Sequence, residues 1–578
     1  MIDTGYAEHA DILLRHIEAV PGYAGLIGAI GSDIDISRET LAMILSSAAS
    51  FAERELAPLN SIGDRAGCRI EDGRVCTPPG YVEAWRRYCE EGWPGVDHPV
   101  KHGGQGLPFF VSAAVREFFD RACMAFGMFD AASRGGARVL TAFCAPEFSK
   151  EWLDAFATGR WAAAIGISEA DAGSDVGRIR TRATPQDDGT WRITGEKMWT
   201  SFGDHDMVER IGLFTLARTP ESPPGTAGLS LFLVPNLMRG DDGRWIPNGV
   251  QVRRLEEKLG LHGSPTCVTG LDDARGWLIG EIGRGLPQLF VMLQHMRVTV
   301  AVQGLGVAQG AAQTAVRYAQ DRRQGGPPDR PPVPLASHAD IQRILLGMVA
   351  KIEVLRGLTL EIAIRLDRLA TKLSDDDRNQ SHELVQWMLP ILKAACSEVA
   401  FETANDAIQV LGGAGYTREW PVEQWLRDSR MMSIAEGSSG LQALDLLHRR
   451  LWRKGPAGID NFLSIARTEC ADAEDDLRAK AEAVFARLER CSNFMLGLKD
   501  TPKEAEAGAK AFLDLAVLAA TSWIAVRLAR LVSSSDRVNA RLSAAGRFWL
   551  ASVEAHAARA DSEARAGADR LQSFEAIT

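Results

Sequence analysis

Residues 408–430, IQVLGGAGYTREWPVEQWLRDSR, followed at 434–447 by IAEGSSGLQALDLL, decide how this chain is read. A helical segment runs into a glycine turn, Gly412, Gly413 and Gly415, whose backbone can approach a ligand with no side chain in the way. The chain then returns through Arg427-Asp428-Ser429-Arg430 to one carboxylate, Glu436, between apolar residues and a flexible Gly-Ser-Ser-Gly. A carboxylate with small neighbours can lie close to a flat ligand while the apolar helix after it holds it in place. That arrangement suits a general base beside a planar redox cofactor. A solvated Glu in an ordinary helix-cap turn fits the same residues, so other segments must decide.

At 578 residues the chain is too long for one core and is expected to form three or four domains. Hydrophobic residues make up 46% and charged residues 24%, which is ordinary for a soluble globular protein. The net charge of −10 disfavours a general affinity for nucleic acid or an anionic membrane. Nine cysteines are scattered without a CxxC pair or spaced histidines, which reads as buried reduced thiols with no disulfide framework and no metal site. The N-terminal MIDTGYAEHADILLRHIEAV carries acids among its apolar residues, so it is not expected to be a signal or transit sequence. No apolar run reaches the length of a membrane span. The expectation is a soluble cytoplasmic protein.

Residues 1–160 read as helices, with apolar residues at helical spacing over 40–57, 81–91 and 109–130. From 161 to 285 the texture becomes short β-rich runs, TWRITGEKMWTS, RIGLFTLAR, GLSLFLVPN and TCVTGL, separated by turn-rich stretches. These predict a compact antiparallel β domain. Long helical patterns return over 286–455, broken once by the proline-rich 324–337, which is expected to form a hairpin between two helices. Residues 456–578 read as a second helical block, with helices over 477–488 and 510–531 and breaks at KDTPKE and SSSD. The expected architecture is multidomain α+β.

The segment AIGISEADAGSDVGRIRTRAT at 164–184 offers the hydroxyls of Ser168 and Ser174 and the unhindered backbone of Gly173, which suit a pyrophosphate or a flavin edge. A surface loop whose Asp171 and Asp175 start turns fits equally well. In ITGEKMWTS an aromatic, Trp199, stands two residues before a hydroxyl, Ser201, which suits a flavin ring; a strand-end Trp is also a common core residue. No GxGxxG follows a strand and there is no P-loop, so a dinucleotide here is not held by a Rossmann domain. HExxH and GxSxG are absent as well.

The order and spacing of these segments carry more than any one of them. A helical block, SEADAGSD, GEKMWTS, KLGLHGSPT, a helix containing Arg297, YAQDRR, QVLGGAGYTREWPVEQWLRDSR and AEGSSG together resemble the acyl-CoA dehydrogenase family over about residues 40–450. LAPLNSIGDRAGCRIEDGRVCTPPG, HPVKHGGQGLP, GDHDM, LSLFLVP, the proline-rich insert and EGSSGLQALDLL are similar to its 3-methylmercaptopropionyl-CoA dehydrogenase subgroup and related long bacterial members. The block after 456 matches the extra C-terminal helical domain of that subgroup. The implied fold is an N-terminal helical domain, a middle β domain and a C-terminal four-helix bundle, plus this extra domain.

The resemblance implies a non-covalent FAD between the β domain and the bundle, and α,β-dehydrogenation of an acyl-CoA. Glu436 matches the base that removes the α proton, and its backbone N–H is implied to polarise the thioester carbonyl. Desolvation by the bound acyl chain is expected to raise its pKa. Some members carry the base one residue before Arg297; here that residue is Met296, which has no basic group. Arg297, Ser174 and Gly437 are implied on the substrate side. Ser168, Gly173, Ser174, Trp199, Ser201 and Ser438 match flavin-contacting positions, while Arg322, Gln409, Gly412 and Gly413 match positions that reach a neighbouring subunit's FAD. A homodimer or dimer of dimers, with an electron-transferring flavoprotein as acceptor, is therefore implied.

Three departures stand out: Ala435 replaces the usual aromatic before the base, Gly325 replaces a Phe near the adenosine, and Ser201 replaces a Thr. The competing readings are a DNA-associated alkylation-response flavoprotein and an oxidase or biosynthetic variant. The first needs a basic terminal domain, and 456–578 interleaves acids with bases.

Overall fold

The computed structural model describes residues 5–30, 34, 36–531 and 536–577. Residues 1–4 of the N-terminal segment and Ser533–Ser535 of the expected SSSD break lie outside the described residues. The chain divides into two compact units, one of residues 51–112 and 122–299, the other of residues 1–50, 113–121 and 300–578.

The first unit is built on a sheet with helices around it. Its strands are β1 (Arg69–Glu71), β2 (Arg74–Cys76), β3 (Trp161–Gly166), β4 (Arg182–Pro185), β5 (Trp191–Ser201), β6 (Arg210–Arg218), β7 (Leu229–Pro235), β8 (Leu237–Arg239), β9 (Trp245–Pro247), β10 (Val250–Leu255) and β11 (Thr266–Ile279). The ladder runs β10-β11-β5-β4-β6-β3, and β7 pairs with both β6 and β11. The path β11-β5-β4-β6-β7 therefore closes on itself, which leaves those five strands no free edge. Contrary to the expected purely antiparallel sheet, β3 runs parallel to β6 over six residue pairs, and β4 meets β6 in parallel at Arg182 and Arg218. The β3 sequence WAAAIG shows no alternation because it is buried on both faces, the usual state of a parallel strand. Trp152, Phe156, Trp161 and Phe214 pack with Leu289, Met292 and Met296 in one core cluster beneath this sheet.

The β1–β2 hairpin was not expected, although its signal is present. Asp72 and Gly73 both have positive φ, 49° and 78°, as a two-residue Asp-Gly turn requires.

In the second unit the helices Ala339–Leu369 and Asp375–Leu411 lie in the bundle that also contains Ala457–Cys470, Asp475–Gly497, Pro502–Ala529 and Arg537–Arg565. Two of these helices, by length and composition alone, could cross a membrane, which differs from the expectation that no run is long enough. Their apolar windows, in 375–416 and 502–529, are 83% and 78% buried inside the protein, so they serve as core helices. The proline-rich insert forms the expected hairpin: Gln324 N–H donates to Val333 O at 2.8 Å and Val333 N–H to Gly325 O at 3.3 Å. Gly325 has φ +73°, and a Cβ there would meet His338 at 2.9 Å, so the loop geometry accounts for the glycine.

A buried charge network ties the N-terminal helix Tyr6–Glu18 to the last long helix. Arg356 donates to Glu117 Oε1 from Nε at 2.9 Å and from Nη2 at 2.7 Å, and also pairs with Glu353. His9 bonds Glu117 at 2.9 Å, His16 bonds Glu353 at 3.0 Å, and Arg541 reaches Glu353 at 3.0 Å. A second pairing does the same for the helix 502–529, where Arg527 meets Glu361 at 2.9 Å and Glu469 at 2.6 Å. The C-terminal helices are therefore integral to the unit that holds residues 5–30.

Burial has a second consequence, in pH. It drives His9 and His98 down to about 4, and His205 and His295 down to about 3. Unfolded histidines take their protons near pH 6.5, whereas these stay neutral in the fold until near their lowered values. Between about pH 6.5 and 4 the unfolded chain binds more protons, so stability falls as pH falls, by up to about 1.4 kcal/mol per pH unit for each histidine. A denaturant midpoint that stays level across that window would contradict this.

Candidate active site

In the unit of residues 51–112 and 122–299, the loop after β3 is pinned from beneath. Lys197, fully buried on β5, donates to Glu169 Oε1 at 2.7 Å, to Leu216 O at 2.8 Å and to Ile167 O at 3.3 Å. Glu169 also accepts from Arg180 N–H at 2.7 Å and from the Thr181 hydroxyl at 2.6 Å. Burial alone would raise the Glu169 pKa, but Lys197 and these donors outweigh it and hold the carboxyl below its ordinary value. Burial lowers Lys197 to about 8 against the pull of Glu169. Met198 N–H donates to Ser168 O at 2.9 Å, which brings Ser168 beside the end of β5. Gly173 and Ser174 are exposed just after the turn closed by the Glu169–Ala172 bridge.

The same end of β5 carries a bulge. Its register against β11 shifts between Lys197 and Thr200, one extra residue being accommodated on β5. At that point Trp199 takes φ +61°, a left-handed conformation rare for a bulky side chain, and its indole is 57% exposed. An aromatic held out of the core by a strained backbone is a feature to be explained by a ligand. Ser201 follows on the same strand, half-buried and paired with Thr266. Met296 is 8% exposed within the apolar core, and Arg297, half-buried, follows it on the helix Gly285–Asp321.

In the other unit, Glu436 is exposed and has φ +53°. Gly437, φ +86°, follows it, and Ser438 caps the short helix Ser439–Leu444 by accepting from Leu441 N–H at 3.4 Å. Ser438 thus has a structural task that the sequence reading did not assign. Two buried side chains hold the loop. Lys393 donates to the carbonyls of Met432, Ala435 and Gly437 at 2.7, 2.7 and 2.8 Å. Gln442 Nε2 donates to Glu436 O at 3.3 Å and to Gly437 O at 3.0 Å. Neither residue was singled out from sequence; a lone lysine inside the apolar run LPILKAACS was the available signal.

Gln409, Gly412 and Gly413 are all exposed at the end of the helix Asp375–Leu411, and Gly412 turns the chain with φ +62°. A Cβ at Gly412 or Gly413 would meet nothing within 4 Å, so the turn opens onto free space. Arg322 is exposed just beyond Asp321, its carbonyl accepting from Leu335 N–H at 2.8 Å. The Tyr318 ring stands edge-on to Trp420 at 5.2 Å, which brings the approach to Arg322 alongside the segment that follows Gly413.

Comparison with known proteins decides the family. Residues 38–160, 164–274 and 283–451 match the N-terminal, middle and C-terminal domains of acyl-CoA dehydrogenases. The chain is 38% identical over 484 residues to 3-methylmercaptopropionyl-CoA dehydrogenase of Ruegeria pomeroyi, covering 82% of each protein. The chain belongs to the acyl-CoA dehydrogenase family. Among solved structures, Caenorhabditis elegans ACDH-11 in complex with C11-CoA superposes with a TM-score of 0.78 at 21% identity, over 94% of this chain and 91% of that one. Acyl-CoA dehydrogenase from Bacillus anthracis, complexed with FAD, superposes with a TM-score of 0.75 at 22% identity, over 92% and 88%. Both likenesses extend past residue 451 and so take in the C-terminal helices.

As an acyl-CoA dehydrogenase, the protein is an FAD-dependent oxidoreductase acting on the CH–CH bond of an acyl-CoA thioester. Its own residues fit that cofactor. In one unit Trp199 presents a flat, exposed aromatic surface on the strand that ends in Ser201, and Gly173 has open space where a side chain would stand. In the other unit, Gly412 and Gly413 have such open space too. Among the described residues no group of three or more His, Cys, Asp or Glu is placed to hold a metal.

Proposed function

We propose that Glu436 is the catalytic base of this dehydrogenase, that Ser168, Gly173, Ser174, Trp199, Ser201, Arg322, Gln409, Gly412, Gly413 and Ser438 hold FAD, and that Ser174, Arg297 and Gly437 face the acyl-CoA. The observation that carries the reading is the Glu436 loop. Its carboxylate is exposed on a backbone that two buried side chains fix, while the competing position for a base is Met296, sunk in an apolar core.

FAD supplies the acceptor for the β hydrogen and its electron pair. The chain's own residues do the rest. Glu436 takes the α proton, an N–H donor on its backbone draws electron density from the thioester carbonyl and acidifies that proton, and the acyl chain excludes water from the carboxylate. Ala435, lacking the bulk of an aromatic, leaves room at the acyl end. With the likeness to the Ruegeria enzyme this favours 3-methylmercaptopropionyl-CoA or another short to medium acyl-CoA. We further propose an electron-transferring flavoprotein as acceptor, a homodimer or dimer of dimers, a cytoplasmic setting, and functional divisions near residues 160, 285 and 455.

The test is a panel of butanoyl-, octanoyl- and 3-methylthiopropanoyl-CoA with a dye acceptor, using protein whose bound flavin has been counted. The expected result is about one FAD per chain and turnover of at least one thioester. Colourless protein that FAD does not reconstitute, or holoprotein inert to all three, would remove the proposal. Arg322→Ala is expected to release FAD more readily while the fold persists, and light scattering should give a multiple of the chain mass. A single FAD-replete chain in solution would contradict the oligomer.

A further inference from the structure

We infer that Lys393 is a positioning residue for the reaction: its side chain aims the backbone N–H of Glu436 away from the buried ammonium and toward substrate. This deepens the reading of Glu436 as the base and rests on it. Lys393 lies fully buried in the middle of the helix Asp375–Leu411. An ammonium has three donors, and here all three meet carbonyls of the catalytic loop, those of Met432, Ala435 and Gly437, within 2.7–2.8 Å.

The consequence follows from peptide geometry. In a planar trans peptide, C=O and N–H point in opposite directions, and the described chain has no cis bonds. The Ala435 carbonyl shares its peptide with the Glu436 N–H. Turning that carbonyl into the ammonium directs the Glu436 N–H the other way. The Gly437 carbonyl does the same for the N–H of Ser438. Gln442 Nε2 fixes the intervening Glu436 carbonyl, at 3.3 Å. Three successive peptide planes are thereby set by two buried side chains, and Glu436 is kept at φ +53°, a conformation a free loop would leave. A donor aimed in advance stabilises charge on a thioester oxygen without rearrangement at the moment of reaction.

The test uses holoenzyme and the best thioester of the three-member panel. Lys393→Met keeps length and removes the donors; Lys393→Gln keeps part of them. Lys393→Met is expected to slow single-turnover flavin reduction about 10²- to 10³-fold, the loss typical for one such donor, and Lys393→Gln about 10-fold. FAD content and thioester affinity should stay near wild type. A second readout separates aiming from simple support. In a Glu436→Gln background, where the thioester is held without reacting, the infrared stretch of a ¹³C-labelled carbonyl should lie below its value in water. Adding Lys393→Met should return it toward that value.

If Lys393→Met does not fold, Lys393→Gln is read by the same two measurements. A folded, FAD-replete variant that reduces flavin within about threefold of wild type, or an unmoved carbonyl stretch, overturns the inference. Glu436→Gln measured alone shows separately whether the base assignment stands.

Discussion

Glu436→Gln is expected to bind acyl-CoA and to leave flavin almost unreduced. The substitution keeps the volume and hydrogen-bonding capacity of the side chain but removes its basicity. General-base contributions are typically about 10²- to 10⁴-fold, and a reaction in which Cα–H and Cβ–H must both break, with no carboxylate at position 296, should lie at or beyond the upper end. The positive φ at Glu436 is retained because the loop is fixed through carbonyls, which glutamine leaves untouched. The wild-type rate should rise with pH through the substrate-bound pKa of the base, since only the carboxylate accepts a proton, and the variant should lose that limb. Rapid anaerobic mixing reads both. Flavin reduction above about a tenth of the wild-type rate would assign the base elsewhere.

The second large effect is on stability. Arg356 is fully buried between Glu117 and Glu353, themselves 2% and 0% exposed. Burial by itself would push both carboxyl pKa values up, yet the Arg356 charge beside each holds Glu117 down at about 2 and Glu353 well below its ordinary value. Removing the guanidinium leaves buried carboxylates short of compensation, and breaking such a pair costs about 3–5 kcal/mol. Arg356→Ala should therefore lower the denaturant midpoint strongly. Hydrogen-exchange protection should be lost first in the helices the network joins, Tyr6–Glu18, Ala339–Leu369 and Arg537–Arg565. A midpoint equivalent to less than about 1 kcal/mol of loss would show that His9, His16 and Arg541 suffice without it.

Much of this molecule was legible in its residues, and the limits have physical causes. The helical segment 477–488 falls within the observed helix Asp475–Gly497, 510–531 lies in Pro502–Ala529 except for its last two residues, and the alternating TWRITGEKMWTS coincides with β5. Strand β3 was missed because four of its residues, Ala162–Ile165, present neither alternation nor β-branching until the end, and its burial comes entirely from neighbours. The helix read over 40–57 is interrupted at Ala52–Leu56 by a π-helical turn, which no periodicity announces. The pairing of Tyr6–Glu18 with the last long helix depends on Glu353 and Arg541, nearly two hundred residues apart, so no local pattern could reveal it. At the site, residue types pointed to Glu436 and Trp199, while their backbone strain and the side chains that impose it came only with the fold. Lys393 and Lys197 read as ordinary charged residues in sequence; three-dimensional burial turns each into a fastener of a loop.

With Glu436 as the base, this enzyme removes an α proton and a β hydrogen from an acyl-CoA. Single-turnover flavin reduction with α-deuterated and β-deuterated forms of the best panel thioester tests this most directly. Each label is predicted to slow the wild-type reaction, because flavin reduction requires that both C–H bonds break, and Glu436→Gln should abolish it with either form. A reduction rate that ignores the α label and survives Glu436→Gln would contradict the account.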